Sequence, residues 1–90
     1  MLNIVASNQF KKDLKLAIKR GLKIEKLRDV VNSLAREEIL DKKYRDHLLT
    51  GEYAGFRECH IEPDWLLIYR ADEGKLELFL FRTGSHSDLF

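Results

Sequence analysis

Gly55-Phe56-Arg57-Glu58-Cys59-His60-Ile61-Glu62-Pro63-Asp64-Trp65-Leu66-Leu67-Ile68-Tyr69-Arg70-Ala71-Asp72-Glu73-Gly74-Lys75-Leu76-Glu77-Leu78-Phe79-Leu80-Phe81-Arg82 decides the architecture. Three runs rich in β-branched, aromatic and aliphatic residues, 55–61, 65–71 and 75–82, read as strands. Glu62-Pro63-Asp64-Trp65 separates the first two, with Pro and Asp where a type I turn wants them. Asp72-Glu73-Gly74 separates the second pair and suits another tight turn. Loops this short force neighbouring strands to run antiparallel, so the segment is a meander.

Outward from the meander, helical patterns precede it. Phe10, Leu14, Ala17 and Ile18 recur at the spacing of a buried helical stripe, with Ser7 or Asn8 as N-cap and Gly21 as terminator. Ile24, Leu27, Val31 and Leu34 mark a second helix, and the short link predicts an antiparallel helical hairpin. Leu2 to Ala6 reads as a first strand, and 39–53 as a connecting segment. The expected fold is therefore one α+β domain spanning 1–90. It is a small antiparallel sheet in the order β-α-α-β-β-β, with the helical hairpin on one face. The other face is left partly free for a site.

Composition limits the function. Ninety residues with 44% hydrophobic and 34% charged side chains make a single soluble core. No apolar run approaches membrane-spanning length, and no signal peptide is visible at the first residues. The lone Cys59 excludes an internal disulfide and reads as a buried, inert thiol in a reducing cytoplasm. The net charge of +1 hides an asymmetry: residues 1–30 carry +5 and residues 31–90 carry −4. Lys11, Lys12, Lys15, Lys19 and Lys23 give the first helix and its link a basic side. That side is either simply solvated or meets a polyanion.

All three histidines, His47, His60 and His86, fall in the second half of the chain, together with Asp64 and Arg82. Each alone reads as an ordinary surface group. Together they supply what phosphodiester cleavage without a metal requires: a proton acceptor, a proton donor and a cation for the phosphoryl oxygens. Zinc is a poorer reading, because the histidines are separated by 13 and 26 residues and no Cys pair or His-x-x-x-His occurs. Phosphate-binding glycine loops and nucleophile elbows are absent too. No cofactor is expected.

Asp46-His47-Leu48-Leu49, Gly55-Phe56-Arg57, His60-x-Glu62-Pro63-Asp64-Trp65 and Arg82-Thr83-Gly84-x-His86-x-x-x-Phe90 together resemble the YafQ branch of the RelE/ParE toxin superfamily. The resemblance covers nearly the whole chain. Leu48-Leu49 departs from relatives that carry a proline there, which touches only the loop. The resemblance implies a bacterial toxin that cleaves messenger RNA in the ribosomal A site and is neutralised by a cognate antitoxin. The toxin alone would be monomeric, and heteromeric with its antitoxin. It places the active-site residues on His47, His60, Asp64, Arg82, His86 and Phe90, with Trp65 adjacent and, like Phe90, expected to bind substrate.

The expected chemistry is attack of a 2′-hydroxyl on the neighbouring phosphorus. Asp64 or His60 would be the base, His86 the acid, and Arg82 the phosphoryl ligand. His47 would orient its neighbours, Phe90 would swing onto an unpaired base, and the lysines would meet ribosomal RNA. The alternative is a ParE-like toxin on the same fold that binds gyrase without acid/base chemistry.

Overall fold

In the computed structural model, which describes residues 1–90, the meander forms as β3 (Arg57–Glu62), β4 (Trp65–Asp72) and β5 (Glu77–Gly84). β3 and β4 are antiparallel, with Cys59 opposite Leu67, and Glu62 opposite Trp65 across the Pro63-Asp64 turn. β4 and β5 are antiparallel as well, with Arg70 opposite Phe79. Register shifts fall between His60 and Glu62 and between Ile68 and Tyr69. Such bulges re-aim side chains, and the first lies against His60.

The antiparallel expectation needs one correction, because the five-stranded sheet is mixed. β1 (Asn3–Ala6) lies parallel to β5, with Asn3 beside Glu77 and Ala6 beside Leu80, in the order β1-β5-β4-β3-β2. β1 belongs to neither tight hairpin, so no short loop imposes its direction. The segment 39–53 is likewise more than a connection. It contains 3-10 turns at Lys42–Tyr44 and Gly51–Tyr53, and a two-residue strand β2 (His47–Leu48) that pairs His47 with Glu58.

The helical hairpin comprises α1 (Asn8–Lys19) and α2 (Ile24–Ala35). Ser7 caps α1: its hydroxyl accepts the Phe10 N–H at 2.9 Å and donates to the Phe81 carbonyl at 2.7 Å. Gly21, at φ 77°, closes the helix. The Leu22 N–H reaches the Ala17 carbonyl and the Gly21 N–H reaches that of Ile18, which satisfies the last turn. α2 ends in the same hydrogen-bond pattern, but with Glu37 in the left-handed position at φ 60°.

Phe10, Ala17, Leu27, Val30, Val31 and Leu34 bury against Cys59, Ile61, Trp65, Leu67, Tyr69, Leu78 and Leu80 on one face of the sheet. The other face carries a second, smaller apolar group built on Leu66, Ile68 and Leu89, with Tyr53, Phe56 and Phe81 packed around it. Leu89 comes from α3 (His86–Leu89), a one-turn helix that periodicity did not reveal. No helix is long and apolar enough to cross a membrane.

Candidate active site

The site lies where the β3–β4 turn, the end of β5 and α3 meet. Asp64 stands in the turn and His86 opens α3. Asp64 Oδ1 accepts the His86 backbone N–H at 2.9 Å and the His86 ring Nδ1–H at 2.7 Å. These bonds hold the Asp64 carboxyl below the usual carboxylate range, the backbone bond first and the ring bond second. The His86 ring is thereby oriented with Nε2 turned away from Asp64. Asp64 and His86 are both well exposed.

His60 faces His86, with ring centroids 5.7 Å apart. On its other side sits Glu58, two residues earlier on the same face of β3. Glu58 is buried, at 5% exposure, and its Oε1 lies 3.4 Å from His60 Nε2 and 3.6 Å from His47 Nε2. One buried carboxylate therefore serves two imidazoles. His47 is fixed from behind: its Nδ1–H donates to the Arg45 carbonyl at 2.7 Å, and Arg45 takes a left-handed backbone at φ 49° to present it. Asp46 anchors the segment by accepting from Tyr69 Oη at 2.6 Å and Arg57 Nε at 3.2 Å. Burial, followed by the Asp46 contact, pushes the Tyr69 hydroxyl well above its usual range, so it stays a donor. Cys59, on the core face of β3, is fully buried, and burial raises its thiol so far that it is inert.

Arg82 lies on β5 opposite Ile68, beyond the β1 pairing, and reaches α1. Its Nε and Nη2 donate to Asp13 Oδ2 and Oδ1 at 2.8 and 3.2 Å. The Asp13 hydrogen bond raises the guanidinium further above its already high value, so it is a permanent cation. Asp13 also accepts the buried Thr83 N–H at 3.1 Å. Thr83 Oγ1 in turn accepts from Trp65 Nε1 at 3.0 Å and donates to the Leu66 carbonyl at 2.7 Å. The two nitrogens bound to Asp13 fix the guanidinium plane and leave Nη1 outside that bond pair.

Trp65 requires a correction, because it does not face a substrate. It is 2% exposed and packs in the core beneath the sheet. Strand alternation on β4 sends Trp65, Leu67 and Tyr69 to the helix side, so this indole reaches the site only through Thr83. Phe90 is exposed, as expected, but it is not free. Its N–H donates to the His86 carbonyl at 2.8 Å, and its ring stands edge-on to Tyr53 at 5.3 Å. Tyr53 Oη holds the same turn by donating to the Leu89 carbonyl at 3.0 Å.

Residues 2–90 match the family model described as the bacterial toxin of type II toxin–antitoxin system, YafQ. The chain belongs to the YafQ toxin family. It is 40% identical to the mRNA interferase toxin YafQ of Escherichia coli strain K12 over 89 residues, 98% of this chain and 95% of that protein. Among solved structures, a metal-bound toxin from Helicobacter pylori superposes with a TM-score of 0.94 at 49% identity, over the full length of both chains. The E. coli DinJ–YafQ complex superposes at 0.91 with 40% identity, over 100% of this chain and 99% of that one.

In this member of the YafQ family His47, His60, Asp64 and His86 come together, linked through Glu58 and the His60–His86 approach. Arg82 is set by Asp13. No group of three or more His, Cys, Asp or Glu side chains converges in a way that could hold a metal ion. Lys11, Lys12, Lys15, Lys19 and Lys23 are exposed along α1 and its link, and none forms an ion pair.

Sequence reading missed Glu58, Asp13 and Tyr53. Two of these had a signal. Asp13 is an acid inside the buried α1 stripe, between Phe10 and Ala17. Glu58 shares strand parity with His60.

Proposed function

We propose that this chain is an mRNA interferase, a metal-independent endoribonuclease. It cleaves messages in the A site of translating ribosomes in the cytoplasm and is restrained by a cognate antitoxin. The observation that carries the chemistry is the oriented His86–Asp64 pair facing His60. The E. coli relative's description as an mRNA interferase, and its complex with DinJ, support the substrate class and the kind of partner.

His60 takes the 2′-hydroxyl proton. Its Nε2 is turned to Glu58, so Nδ1 is the atom that reaches substrate. The 2′-oxygen attacks phosphorus, and His86 Nε2, in its imidazolium form, delivers a proton to the departing 5′-oxygen. The products are a 2′,3′-cyclic phosphate and a 5′-hydroxyl. Asp64 is the poorer candidate for base, since its carboxyl is held low by the His86 bonds; it acts by orienting His86. Arg82 Nη1 neutralises the charge growing on the phosphoryl oxygens. His47 completes the Glu58 bridge and keeps His60 aimed. Phe90 offers its exposed ring to an unstacked base, and the lysines of α1 meet ribosomal RNA.

The test is to map cleavage ends on a translated message with the wild type and with His86→Ala. Transition metals are chelated and magnesium is kept for the ribosome. The expected wild-type products carry cyclic phosphate ends, and folded, antitoxin-binding His86→Ala gives none. Full cleavage by His86→Ala, loss of wild-type cleavage in chelator, or gyrase inhibition in place of cleavage would overturn the reading.

A further inference from the structure

A cavity of about 550 Å³ opens beside His60, and the chemistry above does not use it. It exists because β2 is short. β2 pairs with β3 only at Arg57 and Glu58, so the outer edge of β3 from Cys59 onward has no strand partner. The turn Lys42–Tyr44 stands off that edge, α2 forms the far wall through Lys26 and Asp29, and Pro63 closes the end.

The charges in the cavity are unequal in availability. Lys26 is bound to Glu62 at 2.8 Å, whereas Lys43 and Arg45 make no ion pair. The Tyr44 ring is half-buried, with the Lys43 ammonium 5.1 Å from its centroid. A smaller cleft of about 220 Å³ is lined by Arg82 and Arg20, but Asp13 and Asp88 already bind both guanidinium groups there. A phosphate leaving the histidines on that side meets two carboxylates. On the His60 side it meets two unpaired cations and an aromatic ring, with Glu62 neutralised by Lys26 and the Asp29 carboxylate set on the far wall.

We infer that this cavity is the subsite for one nucleotide adjoining the scissile bond, with its phosphate between Lys43 and Arg45 and its base on Tyr44. The volume falls in the range of small-ligand pockets, and the combination of cation and ring is what single-stranded RNA recognition uses. The inference rests on the endoribonuclease reading and adds to it where the strand goes next. Arg45 then has two roles in one residue: its carbonyl sets His47 and its side chain holds substrate.

The test uses a non-cleavable RNA trinucleotide, 2′-deoxy at the central residue, titrated into the whole protein and followed by amide shifts. The two dinucleotides obtained by removing either end are titrated alongside. Shifts are expected at His60 and His86 and also at Tyr44, Lys43 and Arg45, and one of the two dinucleotides should lose the second set. Arg45→Asn keeps a residue that tolerates the left-handed backbone, and Tyr44→Leu keeps the core contact. Each should weaken the trinucleotide roughly tenfold and leave unaffected the dinucleotide that lacks the cavity nucleotide. Tyr44→Phe should bind as wild type. Shifts at the histidines with none in the cavity overturn the subsite alone. No shift at either place also overturns the subsite, while the endoribonuclease reading is judged separately by the cleavage mapping above. Unchanged trinucleotide affinity in the variants, with antitoxin binding lost, assigns the cavity to the antitoxin and also overturns the subsite.

Discussion

Replacing Asp13 with Ala should cost about 3 kcal/mol of stability. Asp13 is 9% exposed and accepts three hydrogen bonds: two from Arg82 and one from the Thr83 amide. Thr83 is 2% exposed, so its N–H has no access to water once the carboxylate is gone, a loss of about 1–3 kcal/mol. The Arg82 side chain is 23% exposed and recovers part of its solvation, so its share is discounted to about 1–2 kcal/mol. For a domain of this size each kcal/mol lowers Tm by about 4–8 °C, so Asp13→Ala should melt about 15 °C below the wild type. Asp13→Asn keeps one acceptor oxygen and should cost about half as much. Thermal and urea unfolding at neutral pH measure both variants. A cycle with Arg82→Ala should show coupling of about 1–2 kcal/mol. Cleavage measured well below either Tm should fall in Asp13→Ala, because the guanidinium loses its fixed plane. Asp13→Ala within about 0.5 kcal/mol of wild type would refute the buried-anchor reasoning. Equal losses for Ala and Asn would show that charge, not acceptor geometry, holds Arg82.

Three further outcomes follow from other parts of the fold. Glu37→Gly should stabilise the protein by about 1 kcal/mol, read by urea unfolding, since a left-handed backbone at the end of α2 strains any residue with a Cβ. Asp64 and Asp88 are both held below the ordinary carboxylate range, by the His86 and Arg20 bonds respectively. Their contribution to docking α3 is therefore complete above about pH 4 and declines as pH falls below it, which hydrogen exchange at Leu89 and Phe90 should register before the core amides. Reversing Lys12, Lys15 and Lys19 to Glu should weaken ribosome co-sedimentation and toxicity together, with unfolding nearly unchanged; unchanged co-sedimentation would assign the face to solvent or antitoxin.

The parts of this fold that periodicity reports were legible, and the parts made by single contacts were not. The meander and both long helices follow from repeating patterns, each reinforced by a cap or turn residue such as Ser7, Gly21 or Pro63. β2 is two residues long and α3 is four, both too short to carry a period. α3 exists because of Ser85 and Asp88, which satisfy each other's backbone N–H groups, and because Asp88 is also gripped by Arg20. The candidate site was legible as residue types, since His47, His60, Asp64 and His86 do meet. Glu58 stayed hidden because an acid in a strand looks solvent-facing until a second imidazole arrives from a distant turn. Trp65 was placed beside the site by the resemblance, which says nothing of the face: adjacent strand residues point to opposite sides.

A single turn of helix is far below the length that is stable in water, so α3, and with it His86, must be held from outside. The holders come from three separate places: Asp64 in the β3–β4 turn, Arg20 beyond the end of α1, and Tyr53 in the 3-10 turn before β3. Exposed ion pairs of the Arg20–Asp88 kind contribute little individually. The one substantial apolar anchor is Leu89, at 6% exposure, whose burial is worth about 1.5–3 kcal/mol. α3 should therefore open at a free energy well below that of global unfolding. His60 and Arg82 are placed differently, on β3 and β5, each hydrogen-bonded to the central strand β4, with Arg82 also tied to the core by Asp13. The proposed acid thus sits on the most easily released element and the base and cation on the sheet. A substrate that touches Phe90 or His86 adds to the few contacts holding α3, so bound RNA is expected to protect the Leu89 and Phe90 amides more than any in β3. Equal protection in both places would show that α3 is already as firmly held as the sheet.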